Sequence, residues 1–238
     1  FDLKNKKIVV TGAAGLLGSK FSEVILKFNG MPIMLDIDFL KLKTISQRLQ
    51  NKYNKEAPFF EVDITNEDNI KINSQTLKKK FSKIDALINN AAFNPAFEKN
   101  KTNLNNNSFE SFKFEQWNKE ISVGLTGSFL CSKHYGTLIS KNKNGGVIIN
   151  ISSDLGLIAP NQNIYYDKSK KKQYYKPISY SVVKSGIIGL TRYLSTYWAD
   201  KNVRCNALCP GGIQTNQSKI FLKKIHELIP LKRMAKKD

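Results

Sequence analysis

Short apolar runs alternate with longer segments of helical periodicity along almost the whole chain, and this alternation is the feature that most constrains the fold. The predicted strands lie at 7–11, 32–36, 58–62, 84–89, 146–152 and 203–208, and the predicted helices at 16–28, 39–52, 66–81, 115–141 and 177–199. A helix between successive strands returns the chain to the same end of the sheet, so the strands run parallel and need helices on both faces. The sequence therefore predicts a doubly wound α/β fold.

The chain of 238 residues is predicted to be one domain, residues 1–238, because no linker rich in Pro, Gly or Ser and no internal repeat divides it. No apolar run approaches the roughly 20 residues that a membrane-spanning helix needs. We therefore expect no membrane partner.

The formal net charge of +19 raises the question of a nucleic-acid partner, since basic surfaces bind phosphate backbones. The lysines are spread along most of the chain, and no zinc finger or other nucleic-acid recognition motif accompanies them. We expect a solvated basic surface and no nucleic-acid partner. A nucleic-acid-binding protein that shares the fold is the alternative.

The three cysteines, Cys131, Cys205 and Cys209, show no Cys-x-x-Cys spacing, and the histidines are His134 and His226. These residues offer poor ligands for zinc, so no metal site is predicted. Free thiols are typical of a reducing compartment, and a cytoplasmic location is expected.

A glycine-rich turn joins the first predicted strand to the first predicted helix, which is where a dinucleotide fingerprint has to lie. Gly12 permits the tight turn, Gly15 lets the backbone approach a pyrophosphate, and Gly18 allows close packing of helix on strand. The helix N-terminus also offers unpaired N–H groups to the phosphates. The candidate cofactor-binding residues of this turn are Gly12, Ala14, Gly15, Leu16, Leu17 and Gly18.

Asp36 closes the second predicted strand, 18 residues after Gly18 (36 − 18). A carboxylate at this position accepts hydrogen bonds from the adenosine ribose hydroxyls and repels a 2′-phosphate. The next residues are Ile37 and Asp38 rather than Arg or Lys. The predicted cofactor is therefore NAD rather than NADP.

Tyr180 and Lys184 lie four residues apart in the helix predicted at 177–199, which places a phenol and an ammonium on the same helical face. A free phenol is a poor base at neutral pH because its pKa is about 10. A neighbouring ammonium favours the phenolate and should lower that pKa toward neutrality. The Tyr-x-x-x-Lys pattern also occurs by chance on many helices, so its companions decide its meaning.

Four motifs together resemble the short-chain dehydrogenase/reductase family, in its single-domain branch. They are the glycine-rich turn, Asn89-Asn90-Ala91-Ala92 after the fourth strand, Ser152-Ser153 after the fifth, and Tyr180-x-x-x-Lys184. The resemblance runs from Lys6 to about Met234 and implies a Rossmann fold with oxidoreductase activity. It also implies that the last strand of the sheet lies beyond Asp238.

The resemblance implies Ser153, Tyr180 and Lys184 as the catalytic residues. Ser153 would hold the substrate oxygen, Tyr180 would pass the proton, and Lys184 would bind the nicotinamide ribose, while a hydride moves to or from the nicotinamide. The cofactor-binding residues that it implies, beside Tyr180 and Lys184, are Asp63, Ile64, Asn89, Ala91, Ala92, Pro210, Gly211, Ile213 and Thr215. Asp63 would accept a hydrogen bond from the adenine amine.

Two departures from the family pattern leave alternatives open. Gly124 stands where the family usually has an Asn that helps to hold a water of the proton relay, so a non-catalytic NAD-binding module is one alternative. The glycine spacing, with Gly15 in the middle, is that of the extended branch that acts on nucleotide sugars. A nucleotide-sugar epimerase or dehydratase with bound NAD is therefore the second alternative, although the chain is too short for the extra domain of that branch.

The separation of Ser153 and Tyr180 is 27 residues (180 − 153), roughly a dozen more than is usual in the family, and loops of this length tend to be functional. The insertion at 161–177 is rich in Tyr and Lys, which suit a sugar or base ring and a phosphate. Two interpretations of the insertion remain open: a segment that contacts the ligand and a solvated loop. With Gly124 and Pro210-Gly211-Gly212, the pattern is similar to family members associated with flagellin modification and surface-glycan synthesis.

The predicted function is an NAD-dependent oxidoreductase that interconverts a secondary alcohol and a ketone on a sugar or sugar-derived small molecule, phosphorylated or nucleotide-linked. A homodimer or homotetramer is also expected, because the helix at 177–199 has more apolar surface than a sheet can cover. Its apolar residues are Val182, Val183, Ile187, Ile188, Leu190, Tyr193, Leu194, Tyr197 and Trp198.

Overall fold

A computed structural model of the chain describes residues 1–93, 107–167 and 171–237. Its strands are β1 (Lys7–Thr11), β2 (Met31–Asp36), β3 (Phe59–Glu61), β4 (Ala86–Asn89), β5 (Gly146–Ile151), β6 (Tyr166–Asp167), β7 (Lys172–Gln173) and β8 (Val203–Leu208). Six of them form a parallel sheet in the order β3-β2-β1-β4-β5-β8, while β6 and β7 pair antiparallel. The predicted parallel sheet is confirmed.

Helices cover both faces of this sheet. They are α1 (Leu16–Lys27), α2 (Phe39–Tyr53), α3 (Glu67–Phe81), α4 (Phe114–Ile121), α5 (Gly127–Cys131), α6 (Thr137–Ile139), α7 (Ile178–Tyr197) and α8 (Lys219–Leu228). Val10 shares one apolar cluster with Leu26 of α1 and Leu42 of α2. Val9 shares the other with Leu194 of α7 and with residues of α3. Since successive strand residues face opposite sides, the sheet is buried on both, and the doubly wound Rossmann fold is confirmed.

The helix predicted at 115–141 is divided by two widened turns. The π-helical segments Ser122–Thr126 and Ser132–Gly136 separate α4, α5 and α6. Ser128 Oγ of α5 donates to the carbonyl of Gly124, in the first of these segments, at 2.8 Å. Such segments often lie at functional sites. The apolar pattern predicted the extent of the helix but not these turns, because it reports which faces are buried and not how the backbone hydrogen bonds are paired.

The described residues of the insertion at 161–177 form a short 3₁₀ turn, Gln162–Tyr165, followed by the β6–β7 hairpin. The Tyr165 ring lies 5.6 Å from the ring of Phe221 on α8, measured between centroids. Lys224 Nζ, also on α8, donates to the Tyr166 carbonyl at 2.6 Å. This part of the insertion is therefore packed against α8 rather than surrounded by solvent.

Candidate active site

The candidate site residues follow the carboxyl ends of neighbouring strands. β1 leads into the glycine-rich turn, β4 into Asn90, and β5 into Ser152 and Ser153. The strand order reverses between β1 and β4, since β2 and β3 lie to one side and β5 and β8 to the other. In open α/β sheets, ligands bind in the crevice at this reversal point.

Packing requires glycine at two positions of the turn. Gly12 has φ +63°, and a Cβ on it would lie 2.7 Å from the Ala91 Cα. A Cβ on Gly18 would lie 2.1 Å from the Gly12 carbonyl oxygen. A Cβ on Gly15 would lie 3.0 Å from the same oxygen, so packing demands glycine less strongly there. These contacts agree with the turn and packing roles predicted for Gly12 and Gly18.

The N-terminus of α1 fits a dinucleotide pyrophosphate. No side chain caps it, its first turn has no acidic residue, and its first intrahelical bond runs from Ser19 N to the Gly15 carbonyl. The amides of Leu16, Leu17 and Gly18 therefore have no acceptor within the helix. A cleft of about 420 Å³ opens beside them, lined by Leu16, Gln214, Thr215, Asn216, Lys236 and Lys237. Amides at a helix N-terminus and nearby ammonium groups favour an anion.

Two carboxylates occupy the predicted adenosine side. Asp36 Oδ2 accepts from Ala14 N at 2.8 Å and its Oδ1 from Asp38 N at 3.1 Å, so backbone amides fix its orientation beside the glycine-rich turn. Asp63 Oδ1 accepts from the amide and hydroxyl of Thr65 at 2.8 and 2.7 Å. Both side chains are half-buried and so stay accessible to a ligand.

Asn90 ties the end of β4 to the glycine-rich turn, a role that the sequence analysis missed. Its Nδ2 donates to the Thr11 and Gly12 carbonyls at 3.0 and 3.1 Å. Thr11 Oγ1 accepts in return from the amides of Asn90 and Ala91. The sequence contained a signal for this role, because Asn90 lies in the motif Asn89-Asn90-Ala91-Ala92, of which only the other three residues were predicted to bind the cofactor.

Asn89 and Ile64 point into the core, away from the crevice. Asn89 is 3% exposed, and its Nδ2 donates to Ser132 Oγ and Asn150 Oδ1. Ile64 is also buried. Of the adenosine-side residues expected after β4, Ala91 is half-buried and Ala92 is exposed.

Ser153, Tyr180 and Lys184 meet where α7 crosses the end of β5. Ser153 lies close enough to Tyr180 for its side chain to act on the phenol and lower the pKa of Tyr180. Lys184 is buried, donates from Nζ to the Ile151 carbonyl at 2.8 Å, and lies 5.8 Å from the centre of the Tyr180 ring. Ser152 Oγ donates to the Lys184 carbonyl at 2.7 Å and so anchors α7 to the strand end.

The expected lowering of the phenol pKa is not found in this structure. Burial raises the pKa of Tyr180, the Ser153 side chain opposes that rise, and the charge of Asp154 adds to it. Burial and the nearby charge of Lys176 lower the pKa of Lys184 to about 8. The prediction from sequence considered only the charge of Lys184, whereas desolvation of the phenol has the larger effect on the pKa of Tyr180.

Three further ionisable residues adjoin the trio and were missed from the sequence. Ser153 Oγ donates to Asp154 Oδ1 at 2.7 Å. Lys176 Nζ lies 3.7 Å from the centre of the Tyr180 ring. Glu120 is buried and accepts from Ser179 Oγ. Two of them had a signal in the sequence, since Asp154 directly follows Ser153 and Lys176 precedes Tyr180 by the same four residues that separate Tyr180 from Lys184.

Residues 210–215, after β8, lie beside the turn that carries Ser153. Asp154 N donates to the Pro210 carbonyl at 3.1 Å, and a Cβ on Gly211 would lie 3.6 Å from Asp154 Oδ2. Ile213 forms a parallel bridge with Ala235, and Thr215 lines the cleft beside α1. This segment therefore connects the Ser153 turn to the cleft beside α1.

The parallel sheet, its glycine-rich turn and the Ser-Tyr-Lys cluster define a dinucleotide-dependent oxidoreductase. A family model described as enoyl-(acyl carrier protein) reductase matches residues 29–238. The chain belongs to the short-chain dehydrogenase/reductase family and is an NAD(P)-dependent dehydrogenase/reductase.

Its relatives have several different names. The post-translational flagellin modification protein A of Campylobacter coli is 30% identical over 232 residues, covering 98% of this chain and 86% of that protein. A 3-oxoacyl-[acyl-carrier-protein] reductase of Synechocystis sp. is 28% identical over 235 residues, covering 97% and 83%. An NAD+-bound xylitol dehydrogenase structure shares the fold, with a TM-score of 0.82 at 20% identity over 100% of this chain and 89% of that one. The expected similarity to proteins of flagellin modification is confirmed by the first of these relatives.

Within the described ranges, no helix is long and apolar enough to cross a membrane. The same residues contain no group of three or more His, Cys, Asp or Glu side chains that could hold a metal ion. Cys131 and Cys205 are buried free thiols, and Cys209 is half-buried.

Proposed function

We propose that the protein is an NAD-dependent oxidoreductase that interconverts a secondary alcohol and a ketone, with Ser153, Tyr180 and Lys184 as its catalytic residues. The convergence of these three side chains at the carboxyl edge of the sheet carries the proposal. The nicotinamide, when bound, supplies hydride exchange with the substrate carbon. The chain itself binds the substrate oxygen and moves its proton.

Each catalytic side chain has a separate task at the substrate oxygen. Ser153 Oγ donates to Asp154 Oδ1 and accepts from Leu155 N in this structure, and its remaining lone pair can accept from the substrate hydroxyl. Tyr180 accepts the proton of the substrate alcohol during oxidation and returns it during reduction. Lys184, with a pKa of about 8, carries a positive charge at neutral pH and stabilises the phenolate.

The proposed preference for NAD over NADP rests on Asp36. Its two oxygens are oriented by the amides of Ala14 and Asp38, next to the turn expected to bind the pyrophosphate. A fixed carboxylate there accepts from the ribose hydroxyls and repels a 2′-phosphate. Asp63 is proposed to contact the adenine, and residues 210–215 the nicotinamide.

The substrate is proposed to be a sugar or a sugar derivative. Burial raises the pKa of Tyr165 in the insertion to about 12, and the charges of Tyr180 and Asp154 contribute, which places this ring near the proton carrier. Aromatic rings beside a polar site suit the faces of sugar rings. The flagellin-modification relative and the fold shared with a xylitol dehydrogenase are consistent with this choice.

The test is NADH formation or consumption across sugar alcohols, sugar phosphates and nucleotide sugars, with a 3-oxoacyl thioester as the competing class and Tyr180→Phe as the blank. We expect turnover with a member of the sugar classes. Turnover with the thioester alone would assign the reaction of the Synechocystis relative instead. Conversion of a nucleotide sugar without net NADH would indicate an epimerase or dehydratase, and NAD binding without turnover a non-catalytic module.

A further inference from the structure

Lys176 is a second lysine beside the candidate proton carrier. It precedes Tyr180 by four residues, as Lys184 follows it by four. The distance from its Nζ to the centre of the Tyr180 ring is 3.7 Å, against 5.8 Å for the Nζ of Lys184. An ammonium at this distance from an aromatic face is within the range of a strong cation–π contact.

The insertion holds Lys176 in this position. Lys176 N donates to Gln162 Oε1 at 2.9 Å, and Gln162 Nε2 donates back to the Lys176 carbonyl at 3.4 Å. Gln173 Nε2 donates to the Gln162 carbonyl at 2.8 Å and connects the pair to the hairpin. The backbone of Lys176 is therefore fixed by neighbours, and among the described residues its Nζ takes part in no hydrogen bond.

The charges around this contact are mixed. Burial lowers the pKa of Lys176 to about 8, while the charges of Glu120 and Asp154 act to raise it. Burial and the charge of Asp154 raise the pKa of Tyr180, whereas Ser153 lowers it. The other titratable groups nearby are Lys184, Tyr165 and Cys209. The two carboxylates thus favour the charged form of Lys176, whose Nζ lies over the Tyr180 ring.

We propose that Lys176 is a positioning residue whose ammonium stabilises the phenolate of Tyr180, so that a larger fraction of Tyr180 is ionised and able to accept a proton at a given pH. The proposal rests on the role of Tyr180 in the proposed function. A positive charge within about 4–6 Å of an acid favours its ionised form by about one to three pKa units. Lys184 Nζ donates to the Ile151 carbonyl, whereas Lys176 Nζ lies over the Tyr180 ring.

The insertion acquires a specific role from this arrangement. Its hairpin and its contact with α8 hold the segment that contains Lys176, two residues before α7 begins at Ile178. Residues of the insertion, which lie outside the predicted strands and helices of the sheet, would then help to set the pH at which Tyr180 ionises.

The test is a direct titration of Tyr180 that needs no substrate. The ultraviolet absorbance of tyrosine phenolates is measured against pH in the parent protein and in Lys176→Met. The same measurement is made on Tyr180→Phe and on the double variant that carries both substitutions. Subtracting each Tyr180→Phe curve isolates Tyr180 from the other tyrosines. We expect Lys176→Met and Lys176→Gln to raise the pH of Tyr180 ionisation by about one unit or more. Lys176→Arg, which keeps the charge, should restore most of the parent curve.

The direction of the shift separates this role from a structural one. If loss of Lys176 only loosened the site, water would enter and the pKa of the buried phenol would fall. Lys172→Met is the matched control, because Lys172 lies in the same hairpin with its Nζ 5.8 Å from the Tyr174 ring, and it should leave the Tyr180 curve unchanged. Equal curves for the parent and Lys176→Met over the pH range in which both are folded, or a downward shift, would overturn the proposal.

Kinetics give a second readout once a substrate is known. The acid limb of kcat for alcohol oxidation should move to higher pH in Lys176→Met, with KM changed less than kcat. An effect on KM alone, with both the titration and the pH profile unchanged, would mean that Lys176 binds the substrate instead. Failure to find any substrate would count against the proposed function, whereas the titration of Tyr180, which needs no substrate, would still decide the role of Lys176.

Discussion

Val183 occupies the space that a side chain at position 124 would need. A Cβ on Gly124 would lie 2.5 Å from Val183 Cγ1, because α7 packs closely on the π-helical segment Ser122–Thr126. The Gly124 carbonyl already accepts from Ser128 Oγ. The glycine is therefore explained by local packing, and an Asn side chain does not fit unless Val183 moves.

Gly124→Asn should destabilise the protein by about 1–3 kcal/mol, the usual cost of overpacking a well-packed core. Adding Val183→Ala should recover part of that loss, since it removes the clashing methyl groups. Urea unfolding of both single variants and of the double variant measures the coupling. Additive effects of the two substitutions would contradict the steric explanation.

Tyr180→Phe should reduce turnover by about a hundredfold or more, because the proton of the substrate oxygen loses its carrier. The affinity for NAD should change little, since the glycine-rich turn and Asp36 provide most of the proposed cofactor contacts. Steady-state kinetics and calorimetry separate the two quantities. Tyr193→Phe, an exposed tyrosine on the same helix, is the control and should behave like the parent. Activity of Tyr180→Phe within a few-fold of the parent would refute the assignment.

Asp36→Ala should weaken the preference for NAD over NADP by about tenfold or more, because a hydrogen bond to a charged group contributes about 1.5–3 kcal/mol. Competitive binding of the two cofactors by calorimetry provides the measurement. Asp38→Ala is a matched control, since Asp38 caps α2 through Lys41 N. Tighter binding of NADP by the parent protein would show that another group governs selection.

The surface of α7 is proposed to form an oligomer interface. Tyr193 and Tyr197 are 63% and 57% exposed and stack with their ring centroids 5.5 Å apart. Apart from its chain neighbours and the backbone of its own helix, no described heavy atom lies within 4 Å of a Cβ built on Gly189, in the middle of the same helix. A helical glycine costs about 1 kcal/mol relative to alanine, and close approach of a second copy would account for it.

Tyr193→Glu and Tyr197→Glu should therefore shift a dimer or tetramer toward the monomer, because each places a charge in an apolar interface. Sedimentation at micromolar concentration follows the change. Ile72→Glu, at an exposed apolar residue of α3, should leave the oligomer intact. A parent protein that sediments as a monomer would contradict the interface and leave the exposed rings of α7 unexplained.

The sequence predicted the sheet and its covering helices because periodicity reports burial directly. Strands buried on both faces are continuously apolar, as Val9 and Val10 are, and each helix repeats its apolar positions at helical spacing. Capping follows the same local rules, since Asn66, a residue type favoured at helix N-termini, caps α3. The candidate trio was predicted from motifs whose residues lie near one another once the strand order is known.

Tertiary structure alone decided the surroundings of those residues. The proximity of Glu120 to Lys176 does not follow from spacing, because contacts between distant segments depend on how α4 packs against α7. The raised pKa of Tyr180 likewise reflects desolvation by the whole fold. The sequence by itself determined which groups can carry the chemistry. Packing determined the pKa values and partners of those groups and excluded a side chain at Gly124, because these properties depend on distances in space rather than along the chain.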